Sequence, residues 1–181
     1  MKRTLLALFL VTLTGSLFAQ KKTTTSATVA FDATTAIDAL PKAENKTVVA
    51  ALDTRTGALA FEATVKNFTF TNPTIQQHFN GASWMDSDKN PTFTFKGKLT
   101  NLSAIDFSKN GTYTAQAEGT LKVKDVEQKI TVPATIVVSD GAVSASSEFS
   151  IKLADFNITG AAINGGKVAK EPTITVKADF K

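Results

Sequence analysis

The sequence predicts an all-β fold, an eight-stranded antiparallel up-and-down barrel that carries one short helix. Three observations predict it. From residue 25 onward apolar and polar residues alternate with a period of two, the pattern of strands that bury one face. Turn signals such as Asp53-Thr54-Arg55-Thr56-Gly57, Asn110-Gly111 and Asp140-Gly141 cut that alternation into eight runs, mostly sequential neighbours, which a closed ring can hold without exposed edges. The alternation stops once, between His78 and Gly97, where the single His, the single Trp and the second Met are gathered.

Residues 1–19 are expected to leave the mature chain. Met1-Lys2-Arg3, the apolar run from Leu5 to Leu13 and the stretch Gly15-Ser16-Leu17-Phe18-Ala19 make the three parts of a secretory signal, with cleavage near Ala19. The run is shorter than the roughly 20 residues that span a bilayer. Residues 20–181 then form one domain, periplasmic or secreted. With Lys2 and Arg3 gone, 20 Lys+Arg become 18 against 16 Asp+Glu, and a formal +4 falls to +2. Such a balance, without basic residues interleaved with aromatics, gives no footprint for nucleic acid. The chain has no Cys, so neither a lipid-bearing thiol nor disulfides enter its design.

Ala27, Val29 and Phe31 alternate on the first strand, and the polar residues 32–45, with Pro41, read as a connection. Residues 46–53 form the second strand. Leu59, Phe61, Ala63 and Val65 share a face of the third, after which the phase slips to Phe68 and Phe70 and implies a bulge at Lys66-Asn67. Asn72 before Pro73, with Gly81 beyond, marks a helix of about two turns over Pro73–Asn80. Trp84 and Met85 follow in a polar loop, then a strand over residues 92–100 with Phe93 and Phe95 on one face. From Asn110-Gly111 runs the clearest strand, with Tyr113, Ala115, Ala117, Gly119, Leu121 and Val123 inward. Ile130, Val132, Ala134, Ile136 and Val138 line its partner, with Pro133 outward where an edge or bulge accepts it. Beyond Asp140-Gly141 come Val143, Ala145, Ser147, Phe149, Ile151 and Leu153. A last strand holds Ile174, Val176, Ala178 and Phe180.

Eight strands enclose either a packed interior or room for one ligand. The mid-strand inward residues Ala115, Ala117, Gly119, Ala134, Ala145 and Ser147 are small. Large inward side chains, Phe61, Phe68, Phe70, Phe93, Phe95 and Phe149, come from other strands or strand ends. A strand over residues 112–123 is roughly 40 Å long. The pattern therefore leaves a long, narrow apolar space that suits a chain-like lipid.

The break in the pattern also carries a resemblance. His78-Phe79-Asn80, Trp84-Met85-Asp86-Ser87-Asp88-Lys89, Pro91 and Phe93-Thr94-Phe95-Lys96-Gly97 resemble the central signature of the YceI-like family, periplasmic proteins that bind lipids or polyisoprenoids. Val29-Ala30-Phe31, Gly111-Thr112-Tyr113 with Gly119-Thr120-Leu121, and Asp155-Phe156-Asn157-Ile158 resemble further elements of that family in the same order. One departure is Asp125, where the family usually has Gly; Asp also tolerates a left-handed turn. The resemblance implies a lipocalin-like barrel and a soluble carrier or sequestering protein for an amphiphile with an isoprenoid-type tail, such as a polyisoprenoid or an isoprenoid quinone. No further cofactor and no stable membrane insertion are implied, and a homodimer is compatible with it. Phe61, Phe68, Phe70, Phe79, Phe93, Phe95, Phe149 and Phe156, with His78, Trp84, Met85, Tyr113, Ala115, Ala117 and Ala145, are the residues expected to meet the ligand.

Competing chemistry is thinly represented. One His and no Cys cannot build a multi-His or thiolate metal site, and no Ser lies in a G-x-S-x-G elbow, so an enzyme is not expected. Asp86 and Asp88 suggest a fragment of a Ca²⁺ loop, but the EF-hand spacing and its final Glu are missing, and a solvated turn explains them as well. Lys122, Lys124 and Lys129 flank one hairpin, either to attract a diphosphate head group or simply to solubilise it. The N-x-S/T triplets at Asn45, Asn67, Asn101, Asn110 and Asn157 read as chance in a chain rich in Thr and Asn. Two other readings stand beside the carrier: a periplasmic stress or structural protein without ligand, and a small outer-membrane barrel. One Trp and one Tyr are too few for the aromatic girdles of the latter.

Overall fold

Alternating strands define the structure over residues 20–181, which the computed structural model describes; the expected leader at 1–19 lies outside the described residues. The strands are β1 (Lys21–Asp32), β2 (Lys42–Asp53), β3 (Ala58–Thr64), β4 (Thr69–Phe70), β5 (Thr92–Leu99), β6 (Gly111–Val123), β7 (Val126–Ser139), β8 (Ala142–Ser150) and β9 (Thr173–Phe180). Two helices, α1 (Pro73–Asn80) and α2 (Ala161–Asn164), interrupt them. Pairing is antiparallel in the order β1-β9-β8-β7-β6-β5-β3-β2, and β1 pairs again with β2, so eight strands close a ring. The two-residue β4 is a side partner of β2, at Ala43↔Phe70 and Glu44↔Thr69. The expected eight-stranded antiparallel barrel with a short helix is what the chain forms.

Most of β5–β9 keeps the expected faces, with Ala117, Val132, Ile136 and Ala178 buried inward and Thr112, Gln116, Lys122 and Glu148 exposed. A membrane barrel needs the reverse, an apolar outer band. Among the described residues no helix is long and apolar enough to cross a membrane.

One end of the barrel carries the turns at 54–57 and 140–141 and the 100–110 connection. It is packed shut, with Leu52, Ile136, Val138, Val143 and Phe180 at most 2% exposed. The other, the helix end, carries residues 33–41, α1 with the loop to residue 91, the two-residue turn 124–125, and the 151–172 segment with α2.

Several local features differ from the sequence expectations, each for a long-range reason. The polar residues 42–45, expected in a connection, belong to β2. Asn45 is fully buried there: its amide donates to the Thr64 carbonyl at 2.9 Å, and its Oδ1 accepts from the Thr47 N–H and hydroxyl, both at 2.9 Å. β1 begins earlier than its apolar residues suggest, because Thr25 and Ser26 bulge between the pairs Thr24↔Ala50 and Ala27↔Val48. Lys46 and Thr47 form a matching bulge in β2 between Val48 and Asn45. The slip expected at Lys66-Asn67 is a 3₁₀ turn over Val65–Asn67. In the β6–β7 hairpin the left-handed residue is Lys124 (φ 56°), one position before Asp125, so the turn does not use the residue at which the sequence departs from the pattern it resembles. Asn110 does not make a turn; its side chain exchanges hydrogen bonds with Asp140 across to the 140–141 turn, where Asp140 and Gly141 take φ 50° and 81°. Leu153 leaves β8 for a 3₁₀ turn, Leu153–Phe156.

Gly119 was expected to leave interior space, and it does not. Gly119 pairs with Gly97, and a Cβ placed on it would stand 2.5 Å from the Lys96 carbonyl oxygen and 2.7 Å from Phe95 Cζ. Its missing side chain is used by the close approach of β5 and by the Phe95 ring. Gly119→Ala is therefore expected to lower stability by about 1–3 kcal/mol in chemical denaturation, the usual range for overpacking, whereas an unchanged midpoint would mean free space at that site.

Exposed carboxylates fasten three connections. Asp32 Oδ1 accepts from the Thr34 hydroxyl and N–H, Asp53 Oδ1 from the N–H groups of Thr56 and Arg55, and Asp106 Oδ1 from the Ser108 hydroxyl and N–H. Those bonds hold all three carboxyls below the usual Asp range. A folded pKa depressed in this way contributes stability above the unfolded value of about 3.9 and loses it as pH falls through the folded values. The unfolding midpoint should thus be flat from about pH 7 to 5 and fall below about pH 4; a midpoint that rises on acidification would contradict this assignment.

Candidate functional site

Closing eight strands sets the width of the interior, and the side chains that point into it do not fill it. A cavity of about 160 Å³ remains, lined by apolar groups except near Ser146 and Ser147 and at the Trp84 indole. Its wall runs from Ala117 to Val123 on β6 and from Ile130 to Ile136 on β7, roughly 20 Å along each strand. A small apolar volume bordered over such a length suits a slender hydrocarbon segment better than a polar or bulky group.

The helix end is shaped by aromatic packing. Asn72 caps α1 by accepting from the Thr74 N–H at 2.9 Å, with Pro73 as first helical residue. Gln76 then ties α1 to the chain before it: its Oε1 accepts from the Phe70 N–H at 2.9 Å and its Nε2 donates to the Phe68 carbonyl at 2.7 Å. This places the Phe79 ring 4.9 Å from that of Phe70 and 6.0 Å from that of Phe68, which in turn lies 5.9 Å from Phe93. All three contacts are tilted, as the quadrupoles of aromatic rings favour.

The loop after α1 is knotted onto it. Met85 N–H donates to the Phe79 carbonyl, Asp86 N–H to that of Gly81, and both the N–H and the hydroxyl of Ser87 to that of Asn80. Asp86 takes φ 46°, which turns the chain so that Met85 is buried and Trp84 half-buried, both against the cavity. Ion pairs hold the outside of the loop. Asp88 bonds Lys66, which keeps its carboxyl below the usual range, and Asp86 bonds Lys89 at 2.9 Å, which raises that ammonium. Both carboxylates read as a cation-loop fragment are thus engaged by lysines. Among the described residues no group of three or more His, Cys, Asp or Glu is arranged to hold a metal ion.

Of the residues expected to meet a ligand, Phe61, Phe93, Phe95 and Phe149 line the cavity from the wall, and Ala117 and Ala145 widen it. Phe68, Phe79, Trp84 and Met85 line it from the helix end. The others lie elsewhere. Phe70 packs behind Phe79, and His78 is exposed on the outer side of α1. Tyr113 and Ala115 belong to the tight-turn end, where the Tyr113 hydroxyl donates to the Lys109 carbonyl at 2.9 Å and Ala115 is buried in the packed plug. Phe156 is buried in the 3₁₀ turn beyond β8 and does not line the cavity. Val29, Phe31, Leu121, Ile151, Ile174 and Val176 also line the space. Alternation already placed them inward, but as ordinary core residues they carried no sign of a ligand.

Comparison with known proteins follows this geometry. A family model described as YceI-like domain matches residues 11–180. The structure is similar to that of BcnA from Burkholderia cenocepacia, with TM-score 0.70 and 19% identity over 86% of this chain and 96% of that one. It is also similar to a polyisoprenoid binding domain from Saccharophagus degradans implicated in plant cell wall breakdown, with TM-score 0.75 and 9% identity over 90% of this chain and 98% of that one. A YceI protein from Campylobacter jejuni aligns at TM-score 0.55 and 22% identity, covering 75% and 81%. At such identities these likenesses establish the fold alone. A comparison with curated proteins found no match.

The aromatic plug gives a direct stability test. Phe79 is 5% exposed and joins α1 to both Phe68 and Phe70. Phe79→Ala should cost about 3–5 kcal/mol in urea unfolding, as other buried Phe truncations do, and a loss under about 1 kcal/mol would show that the helix end does not depend on it.

Proposed function

The chain belongs to the YceI-like domain family, and from that footing we propose that it is an exported carrier or sequestering protein that holds a long-chain, isoprenoid-type amphiphile inside the barrel. The observation that carries this reading is the slender apolar cavity. Its lining has no titratable side chain, so it offers no acid or base to anything inside it, and nothing in the lining to activate the Ser146 and Ser147 hydroxyls. What it offers is a long, dry surface against which a hydrocarbon tail loses its contact with water. Burial of a tail contributes about 0.8 kcal/mol per methylene, so a tail of modest length binds tightly without any specific polar contact. The polyisoprenoid binding of the Saccharophagus degradans domain agrees with this reading. The reading of residues 1–19 as a secretory signal supports a periplasmic or secreted location, where an apolar molecule crossing water needs a container. A polyisoprenoid or an isoprenoid quinone is the kind of molecule proposed, and an apolar lining selects on the tail's length and slenderness more than on its head group.

Ala117 tests the proposal. It is 3% exposed, on the cavity wall midway along β6, so a larger side chain there enters the tunnel. Wild type and Ala117→Phe, purified from exporting cells, are extracted with organic solvent and the extracts identified by mass spectrometry. The expected result is an isoprenoid lipid from wild type and little from Ala117→Phe, whose unfolding midpoint stays close to wild type because the ring fills existing space. An empty wild type that also fails to take up added isoprenoid quinone, with a variant destabilised by the roughly 1–3 kcal/mol of an overpacked core, would overturn it.

A further inference from the structure

The barrel wall is unevenly sealed. β7 and β8 pair only from Thr135↔Ser146 to Ser139↔Ala142, although β7 reaches back to Val126 and β8 runs on to Ser150. Their ladder ends beside Pro133, which has no N–H to contribute, and the last link is the Ser147 hydroxyl donating to the Pro133 carbonyl at 2.6 Å. Below that point β7 stays bound to β6 down to Val123↔Val126, and β8 to β9 down to Ser150↔Thr173, so the facing edges part. The 3₁₀ turn Leu153–Phe156 bounds the gap at its far side, where the Gln128 amide donates to the Asp155 carbonyl at 2.8 Å. The six residues of β7 from Gln128 to Pro133, roughly 16 Å of strand, thus have no ladder partner across the gap.

This gap communicates with the interior. Ile130 and Val132 on one rim and Phe149 and Ile151 on the other all line the cavity. Ile130, Phe149 and Ile151 are only half-buried, whereas Ile136, Val138 and Val143, inward on the same strands at the packed end, are buried. The cavity also reaches Ser146, an exposed residue on the outer face of β8, beside Ser147. By contrast the helix end is cross-linked by the bonds of α1, Gln76 and the Trp84 loop.

We infer that the window between β7 and β8 is the passage through which the apolar chain enters and leaves, and that the amphiphile's polar end rests at its Ser146–Ser147 corner. This inference rests on the lipid-holding reading above. At that corner the Ser146 hydroxyl can donate to a quinone carbonyl or an alcohol, and the Ser147 oxygen, its proton given to Pro133, can accept from an alcohol, while the tail lies along Ile130, Phe149 and Ile151 into the tunnel.

A chain without Cys lets each introduced thiol be labelled alone. Thr131→Cys and Ser150→Cys put a thiol on the two outer rims of the window, and Ser83→Cys puts one on the helix-end loop; all three positions are exposed. Each is coupled to a polyethylene glycol maleimide, and uptake and release of an isoprenoid quinone are followed through quenching of Trp84, which lines the cavity. Labels at Thr131→Cys and Ser150→Cys should slow both rates about tenfold with Kd nearly unchanged, and the label at Ser83→Cys should leave both rates as they were. Rim labels without effect on the rates overturn the window, whatever the Ser83→Cys label does. Should the quinone not bind unlabelled protein, the lipid-holding reading falls, and amide hydrogen exchange without ligand decides the window by itself. The amides facing the fork in residues 129–132 and 148–150 should exchange far faster than those of 135–139, and equal protection would mean a sealed wall.

Discussion

The structure depends on β1 being bonded along both edges. It pairs with β2 over nearly its whole length and with β9 from Thr28↔Lys177 to Asp32↔Thr173, and near its start Thr23 and Lys181 exchange backbone bonds at 3.2 and 3.1 Å. These ladders turn an open sheet into a ring. Once the ring is closed, strand number and stagger set its diameter, and the side chains must take what width results. At the tight-turn end Leu52, Val143 and Phe180 are large enough to fill it. In the middle, Ala117, Ala134 and Ala145 are not, and the Phe rings that reach inward leave the tunnel between them. The cavity is thus a consequence of closure acting on small mid-strand residues. Bulges at Thr25-Ser26 and Lys46-Thr47 give β1 and β2 the bend that closure requires.

How much of this the sequence makes legible follows from the range of each interaction. Period-two alternation and local turn chemistry are read from neighbouring residues, and they place most strands and the cap of α1, where Asn72, Pro73 and Gly81 mark the ends at which the helix begins and stops. The phase slip after Val65 is local too. What stays hidden depends on partners far along the chain. Residues 42–45 look like a connection until β1 and β4 supply ladders on both sides. Gly119 looks like vacant volume until Gly97, twenty-two residues earlier, is seen to press its backbone against it. The site divides in the same way. Phe61, Phe93, Phe95 and Phe149 face the cavity because parity decides their direction, whereas Tyr113 and Ala115 share that parity and are consumed by the packed end. Parity gives a face and does not give depth.

The two seams of the wall show a physical contrast of the same kind. Between β2 and β3 the ladder covers only Val49↔Glu62 to Leu52↔Leu59, and the strands beyond would part. Side chains close that seam: the Asn45 amide holds the Thr64 carbonyl, and Asn67 donates to the Thr47 hydroxyl at 2.8 Å, which itself donates to Asn45. A buried amide with partners on both its atoms contributes stability there, while an unpartnered backbone group in the same place would cost about 1–3 kcal/mol. Beyond Thr135↔Ser146 the β7–β8 seam has no such amides along its length, only the Ser147 bond at one corner and the Gln128 bond at the other.

Backbone groups that face no ladder need another partner, and at an opening in the wall solvent is the one within reach. Water at the rim fits the half-buried state of Ile130, Phe149 and Ile151 and the exposure of Ser146. An apolar tunnel whose wall is opened by hydrated backbone presents two solvents to one molecule: a dry interior for a tail and a wet edge for a polar end. Pro133 keeps it so, since a residue with an N–H at that position could extend the ladder toward Glu148 and begin to draw the edges together. Pro133, on the outward face, is therefore one local reason that the β7–β8 ladder stops where it does.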